Sequence, residues 1–291
     1  MPTYNRAARL QKALTSALQQ SYETLEIIVS DNASSDETWD VCSTVAANDR
    51  RVRVYRQSVN MGPVANFEFV RSKASGKYFM WLADDDAMSS NYVASCVERL
   101  ERDPELVLAH GAATYLRDDG TACDETVFAL DKAKPIARVL TYFWRVSQNG
   151  MFYGLYRREA ITDCRMPNTL GGDWAWIADV ALHGKTAVQS EAKIRRSGTG
   201  TSASYERILE VVGAARWKRY TPSLTLAVGL GAHAAFRSAP FRTRHPLARF
   251  AVAPLITAIL CYRLIARPAL GRLLSPIRSA LRSGKNATER E

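Results

Sequence analysis

Three consecutive carboxylates, Asp84, Asp85 and Asp86, follow directly on a run of apolar and aromatic residues, Tyr78 to Leu82. Adjacent ionised carboxylates raise one another's pKa unless positive charge sits among them. A hard divalent cation, which takes oxygen ligands, is the simplest such partner. The apolar run reads as a buried strand of a parallel sheet, although periodicity alone does not exclude a helix. Ligands of open α/β sheets bind beyond the carboxyl ends of strands. Position and chemistry therefore agree on a metal–phosphate site, against the simpler reading of a solvated acidic turn.

The flanking pattern supplies the scaffold. Leu10, Ala13, Leu14, Ala17 and Leu18 share one face at helical spacing, so a helix is expected from Arg6 to about Gln20, with Asn5 able to cap it. Leu25–Ser30 and Val52–Tyr55 read as strands, and Ser34 or Ser35 can cap a helix between them that reaches about Ala47. Asn60-Met61-Gly62-Pro63 is a turn followed by a helix carrying Val64, Phe67 and Val70 inward. A helix to about Arg102 follows the acids. Strand is expected at Leu106–His110 and Ala112–Leu116, helix from Pro135 to Ser147, and strand through the aromatic run 149–156. Trp174, Ile177, Ala178, Ala181 and Leu182 mark a helix stopped by Gly184, and 197–202 is a small-residue loop. Alternating strand and helix imply an α/β fold with a mostly parallel sheet and helices on both faces.

The bulk properties divide the chain in two. From Arg216 onward there are 14 Lys and Arg against 2 Asp and Glu, while the rest carries 25 against 27. A basic excess confined to the tail points to a polyanionic partner, membrane surface or nucleic acid. Everything after about residue 204 reads as helix, giving a domain over 1–203 and a basic helical region over 204–291. Phe250–Tyr262, flanked by Arg249 and Arg263, is the most apolar stretch. It falls short of the ~20 residues a spanning helix needs, and Pro254 interrupts it. A helix in the membrane interface is the expectation, with a helix packed on the first domain as the alternative. Aromatic residues that stack on bases are few beyond Tyr220, so no nucleic acid is expected. Five widely spaced cysteines, with no Cys-x-x-Cys pair, read as reduced core thiols of a cytosolic protein. No basic-then-apolar leader opens the chain. His110 and His183 sit in apolar surroundings and read as structural, His233 and His245 as tail surface.

Five motifs in order resemble the family 2 glycosyltransferases, inverting enzymes of the GT-A fold. They are Pro2-Thr3-Tyr4-Asn5-Arg6; Val29 to Asp36; Asn60-Met61-Gly62 with Asn66; Ala83-Asp84-Asp85-Asp86; and Gly172-Asp173-Trp174 opening a helix that closes at Gly184-Lys185. The resemblance implies that Pro2, Thr3 and Tyr4 line a nucleotide pocket and that Asp31 bonds the base edge. It places Asn60, Gly62, Asn66, Asp84 and Asp85 at the donor and gives Asp86 a Mg²⁺ or Mn²⁺ ion bridging the diphosphate. Asp173 becomes the catalytic base, although an acid heading a helix is equally an N-cap. Such an enzyme moves a sugar from a nucleotide-sugar donor to a lipid-linked saccharide or polysaccharide, at the cytoplasmic face of a membrane that attracts the basic tail. The family opens with an apolar strand of which only Met1 remains here, so the first strand is expected to be missing and the natural start to lie upstream. Two other classes stay open. A nucleotidyltransferase would carry a glycine-rich basic loop near its start, and Tyr4 to Ala8 contain no glycine. A non-enzymatic basic module would need the aromatics that the tail lacks.

Overall fold

A computed structural model describes residues 1–116, 119–197, 205–270 and 272. The acids sit on the rim between two sheets. The first holds β1 (Pro2–Thr3), β2 (Ile27–Asp31) and β3 (Val52–Arg56), in that order and all parallel. Helices α1 (Ala7–Leu18), α2 (Thr38–Asn48) and α3 (Pro63–Lys73) connect and cover it. Leu10, Ala13, Leu14 and Ala17 are buried, the stripe that the spacing predicts. The register sets Thr3 beside Asp31 and Asp31 beside Arg56, so the carboxyl ends of all three strands meet.

The second sheet is mixed. Its order is β4 (Tyr78–Phe79), β8 (Leu155–Arg157), β6 (Leu106–Leu116), β9 (Lys185–Ser197) and β5 (Ala87–Met88), with β7 (Ala122–Asp124) paired to β6. Only β6 and β9 run parallel; β4–β8, β6–β8, β5–β9 and β6–β7 are antiparallel. The mostly parallel arrangement expected of the chain therefore holds for the first sheet alone. The apolar run before the acids is strand only at Tyr78 and Phe79, and its partner is antiparallel. Its burial comes from aromatic packing instead. Trp81 is fully buried, stacked on Phe152 at 4.8 Å and in edge or tilted contact with Phe67, Phe79, Tyr156 and Trp176.

The first strand is shortened, not missing: Pro2 and Thr3 pair with Ser30 and Asp31. Past its start lies an apolar cavity of about 330 Å³, lined by Met1, Ile27, Ile28, Tyr78, Phe79 and Leu155 among others. Two caps also differ from expectation. Asn5 takes φ 52° and accepts from Ser35 N–H, while Arg6 N–H donates to Thr38 Oγ1 at 2.9 Å. The first turn of α2 is held by Asp36, whose Oδ1 accepts from Thr38 N–H at 3.0 Å.

Helix α4 (Tyr92–Arg102) packs on β6 and β9, and α5 (Pro135–Arg145) on α6 (Gly172–His183). The C-terminal region is helical as expected: α7 (Tyr205–Val211), α8 (Pro222–Ala232), α9 (Ala239–Arg244) and α10 (Ala248–Cys261). His233 is buried, not on the surface. Its Nε2 lies 3.1 Å from Asp179 Oδ2 on α6, and Asp179 Oδ1 accepts from Ser238 Oγ at 2.6 Å. His110 is structural: it is buried, and its ring nitrogens lie 3.3 and 3.2 Å from the carbonyls of Gly111 and Phe128, one of which accepts from the ring N–H. All five cysteines are free, and Cys123 is exposed rather than core. Apart from Ser197, the small-residue loop 197–202 lies outside the described residues.

Replacing Trp81 by Ala removes the centre of the aromatic cluster. The expected loss is about 3–5 kcal/mol, read from denaturant midpoints at unchanged slope.

Candidate active site

The carboxyl ends of β1 and β2 bring the residues of the expected nucleotide pocket together. Pro2 and Thr3 are buried and Tyr4 is exposed. Asp31 is fully buried; its Oδ1 accepts from Ser34 N–H at 3.0 Å. Its Oδ2 makes no hydrogen bond, with Arg56 Nε 3.4 Å away. Asn66 donates to Ser30 O at 2.9 Å, leaving its buried Oδ1 without a partner among the described residues. Buried polar atoms are rarely left so; Asn66 Oδ1, beside a carboxylate oxygen held only by a 3.4 Å ion pair, marks a place for a polar ligand. Asn60 Oδ1 accepts from Asn32 Nδ2 and from Gly62 N–H, both at 2.9 Å. Gly62 takes φ 84°, which favours glycine. Both residues therefore serve the turn that seats α3.

The three acids point three ways. Asp84 lies against Thr3 and Tyr4, and burial pushes its carboxyl up to about 6 despite their help. Asp85 Oδ2 pairs with Arg6 at 2.9 Å and Arg9 at 3.5 Å. Asp86 is buried, with Oδ2 3.2 Å from Arg196 Nε and Oδ1 accepting from Ser197 N–H at 3.0 Å. Burial raises the Asp86 carboxyl and the Arg196 charge counters it. Among the described residues, one group alone brings three ligand atoms within 4.8 Å of one another: Asp163, Cys164 and His183, away from the triplet. As folded, the three acids face different partners, and both Asp86 oxygens are engaged by the end of β9. The physical reason is β9, a strand absent from the sequence reading, which delivers a guanidinium to that carboxylate.

Asp173 lies in the first turn of α6, behind Gly171 at φ 74°, and is not the N-cap residue. Its Oδ2 accepts from Asn149 Nδ2 at 2.8 Å, and Asn149 Oδ1 accepts from Tyr142 OH at 2.9 Å. Burial raises the Asp173 carboxyl; Asn149, Arg196 and N–H groups of the helix hold it down. Trp174 and Trp176 are both buried, so neither offers an open stacking face. Tyr153 is buried against Arg196, with the guanidinium 4.3 Å from its ring centroid, and feels Asp85, Asp86 and Asp173. The acid of α6 and the acidic rim thus share one electrostatic environment.

The profile of glycosyl transferase family 2 matches residues 1–163, more than half of the chain. The chain belongs to this family. An uncharacterized glycosyltransferase of Haemophilus influenzae is 25% identical over 190 residues, covering 65% of this chain and 72% of that protein. The GalNAc(5)-diNAcBac-PP-undecaprenol β-1,3-glucosyltransferase of Campylobacter jejuni is 26% identical over 61% of this chain, which spans 57% of that relative. S. aureus TarS, solved with UDP-GlcNAc, superposes with a TM-score of 0.57 at 16% identity, over 90% of this chain and 79% of that one. A Pyrobaculum calidifontis mannosyltransferase, solved with GDP-Man and Mn²⁺, gives 0.55 at 17% identity, over 96% and 80%. These likenesses establish the GT-A fold for this family 2 chain.

Two site residues escaped the sequence reading. Asn149 was placed in a strand, but it adopts φ 58° and opens a 3₁₀ turn, Gly150–Tyr153. Arg196 lies on β9, where the alternation of buried Ala192, Ile194 and Arg196 with exposed neighbours was the available signal.

Asn149 stabilises the charged form of Asp173. In Asn149→Ala the carboxyl is expected to rise further above its ordinary value. Because only the carboxylate accepts a proton, the acidic limb of the pH–rate profile should move to higher pH. An unmoved limb in a folded variant would assign Asn149 to packing alone.

Proposed function

We propose that this chain transfers a sugar from a nucleotide-sugar donor to a hydroxyl of a lipid-linked saccharide or growing polysaccharide, with inversion at the anomeric carbon. The observation that carries the reading is a rim on which the buried Asn66 Oδ1 is unpartnered among the described residues and Asp31 Oδ2 is held only by Arg56 at 3.4 Å, together with a second buried carboxylate, Asp173, held by Asn149 at the start of α6. The nucleotide sugars bound by the two structural neighbours, and the undecaprenol-linked substrate in the name of the Campylobacter relative, support the donor and acceptor classes.

Asp31 offers an acceptor to a base N–H, and Thr3 and Asp84 face the adjoining sugar side. Asp173, held by Asn149, takes the acceptor's proton as its oxygen attacks the anomeric carbon. Attack from the side opposite the leaving diphosphate inverts that carbon, and holding both partners in line supplies much of the acceleration. Manganese accompanies the donor in one neighbour. Here both Asp86 oxygens are engaged, by Arg196 and by Ser197 N–H.

The C-terminal region gives the reading its location. The helix that contains α10 runs through Pro254 as one stretch, Ala248–Leu270, 23 residues long with mean hydropathy 1.6 and 22% of its apolar window buried. By length and composition it is long enough to cross a membrane, which the apolar run in the sequence alone was not. Phe236, Leu247, Phe250, Leu255 and Ile265 are exposed among Arg237, Arg242, Arg249 and Arg267. Exposed apolar side chains among arginines suit a peripheral seat on an anionic membrane.

A panel of nucleotide sugars incubated with purified protein, reading nucleotide release, tests the activity. Asp173→Asn should retain donor binding and lower turnover by about 10²–10⁴-fold, the usual worth of a general base; normal turnover would remove the base assignment. For the membrane, Phe250→Glu with Leu255→Glu should reduce flotation with phosphatidylglycerol vesicles by at least about tenfold, given roughly 1.5–3 kcal/mol per buried side chain. Undiminished flotation would leave the helix as packing only.

A further inference from the structure

Arg196 reaches from the end of β9 to the third acid of the triplet. Its side chain is 10% exposed. Nε engages Asp86 Oδ2 at 3.2 Å, and Nη1 donates to Tyr115 OH at 2.8 Å and to Gln148 O at 3.5 Å. The guanidinium lies 4.3 Å from the ring centroid of Tyr153 and 5.0 Å from that of Tyr115, which fix its plane. Nη2 donates to nothing among the described residues. Taking a guanidinium out of water costs several kcal/mol unless its charge and donors are met; Asp86, Tyr115 and Gln148 meet Nε and Nη1, and among the described residues Nη2 is the part of the group that could take a second anion. Its charge acts on Asp86, at the donor end, and on Asp173, at the acceptor end.

We propose that Arg196 supplies the positive charge for the donor's diphosphate, in place of a divalent cation at Asp86. The inference rests on the glycosyltransferase reading above. In the transfer step the acceptor oxygen bonds to the anomeric carbon and its proton passes to Asp173. The bond from that carbon to the β-phosphate oxygen breaks, and the nucleoside diphosphate leaves with the electron pair. The charge gained by the leaving oxygens is met by the Nη2 donors of Arg196, in the planar geometry that suits phosphate. Asp86 is then a positioning residue that anchors Nε, with its other oxygen fixed by Ser197 N–H. The arginines on Asp85 are already committed to that carboxylate.

Titration calorimetry of the full chain with UDP, GDP, CDP and dTDP, in EDTA and then in excess Mn²⁺, decides the matter. The expected result is binding of at least one nucleotide in EDTA, no tighter with Mn²⁺. Arg196→Met should weaken that binding about ten- to hundredfold, the range for losing charged hydrogen bonds, and Arg196→Lys should recover part of it. Asp86→Asn should bind as well as the wild type or better, since Arg196 keeps its charge and loses a competing anion. Should Arg196→Met fail to fold, the EDTA and Asp86→Asn arms suffice. Binding that requires Mn²⁺ and disappears in Asp86→Asn would overturn the inference and leave the glycosyltransferase reading standing. Binding of none of the four, with or without Mn²⁺, would overturn both.

Discussion

Three adjacent carboxylates on one turn cannot all face the same space in charged form without a countercharge. The fold meets this constraint by separating them. Asp84 turns toward β1 and keeps a raised pKa of about 6; Asp85 turns to Arg6 and Arg9 at the start of α1; Asp86 turns to Arg196 at the end of β9. The partners come from different elements, polar groups at β1 for Asp84 and countercharges for the other two, so the turn is a junction that ties the first sheet, its first helix and the second sheet together. The antiparallel pairing of β5 with β9, Ala87 beside Arg195, sets Asp86 against Arg196 and is the backbone expression of the same contact.

That junction also explains why the site lies between the sheets. The first sheet contributes neutral and acidic acceptors at its carboxyl ends, Asp31 among them. The second contributes Arg196, and α6, packed against α5, contributes Asp173. Tyr153 is wedged where these meet, its ring against the guanidinium. Buried charges of opposite sign in a region of low dielectric interact strongly with whatever charge a ligand brings, and here the array is held by aromatic packing instead of by bulk water.

Local signals made the first sheet legible. The 3.6-residue stripe of α1, the Gly62-Pro63 helix start and the short strands between them are all features that a chain segment shows by itself. The second sheet depends on pairings far apart in sequence, and those are invisible to periodicity. Tyr78–Leu82 is as apolar as a central parallel strand, yet its burial comes from Trp81 inside an aromatic cluster with partners on α3, β8 and α6. Glu191, Lys193 and Arg195 carry charges at alternate positions and look like surface until β6 is laid beside them; then Arg196 points inward with Ala192 and Ile194. Nothing local to the triplet announces that an arginine 110 residues away answers Asp86. The motifs that carry Asp31, Asn66, Asp84 and Asp173 were legible because they lie at or beside element ends, where spacing and fold position coincide.

One helix links the chemistry to the C-terminal region. Asp173 stands in the first turn of α6, and Asp179, nearly two turns on, is buried against His233 and Ser238. Ser238 Oγ in turn accepts from Phe241 N–H and caps α9. Arg263 reaches back from the end of α10 to the carbonyls of Phe143 and Val146, which close α5, the helix carrying Tyr142 and through it Asn149. Both elements that position the Asp173 carboxylate are therefore braced by the apolar, basic helices. The position of Asp173 is thereby coupled to the C-terminal helices, through side-chain bonds on Asp179 within α6 and through Arg263 at the carbonyls that end α5.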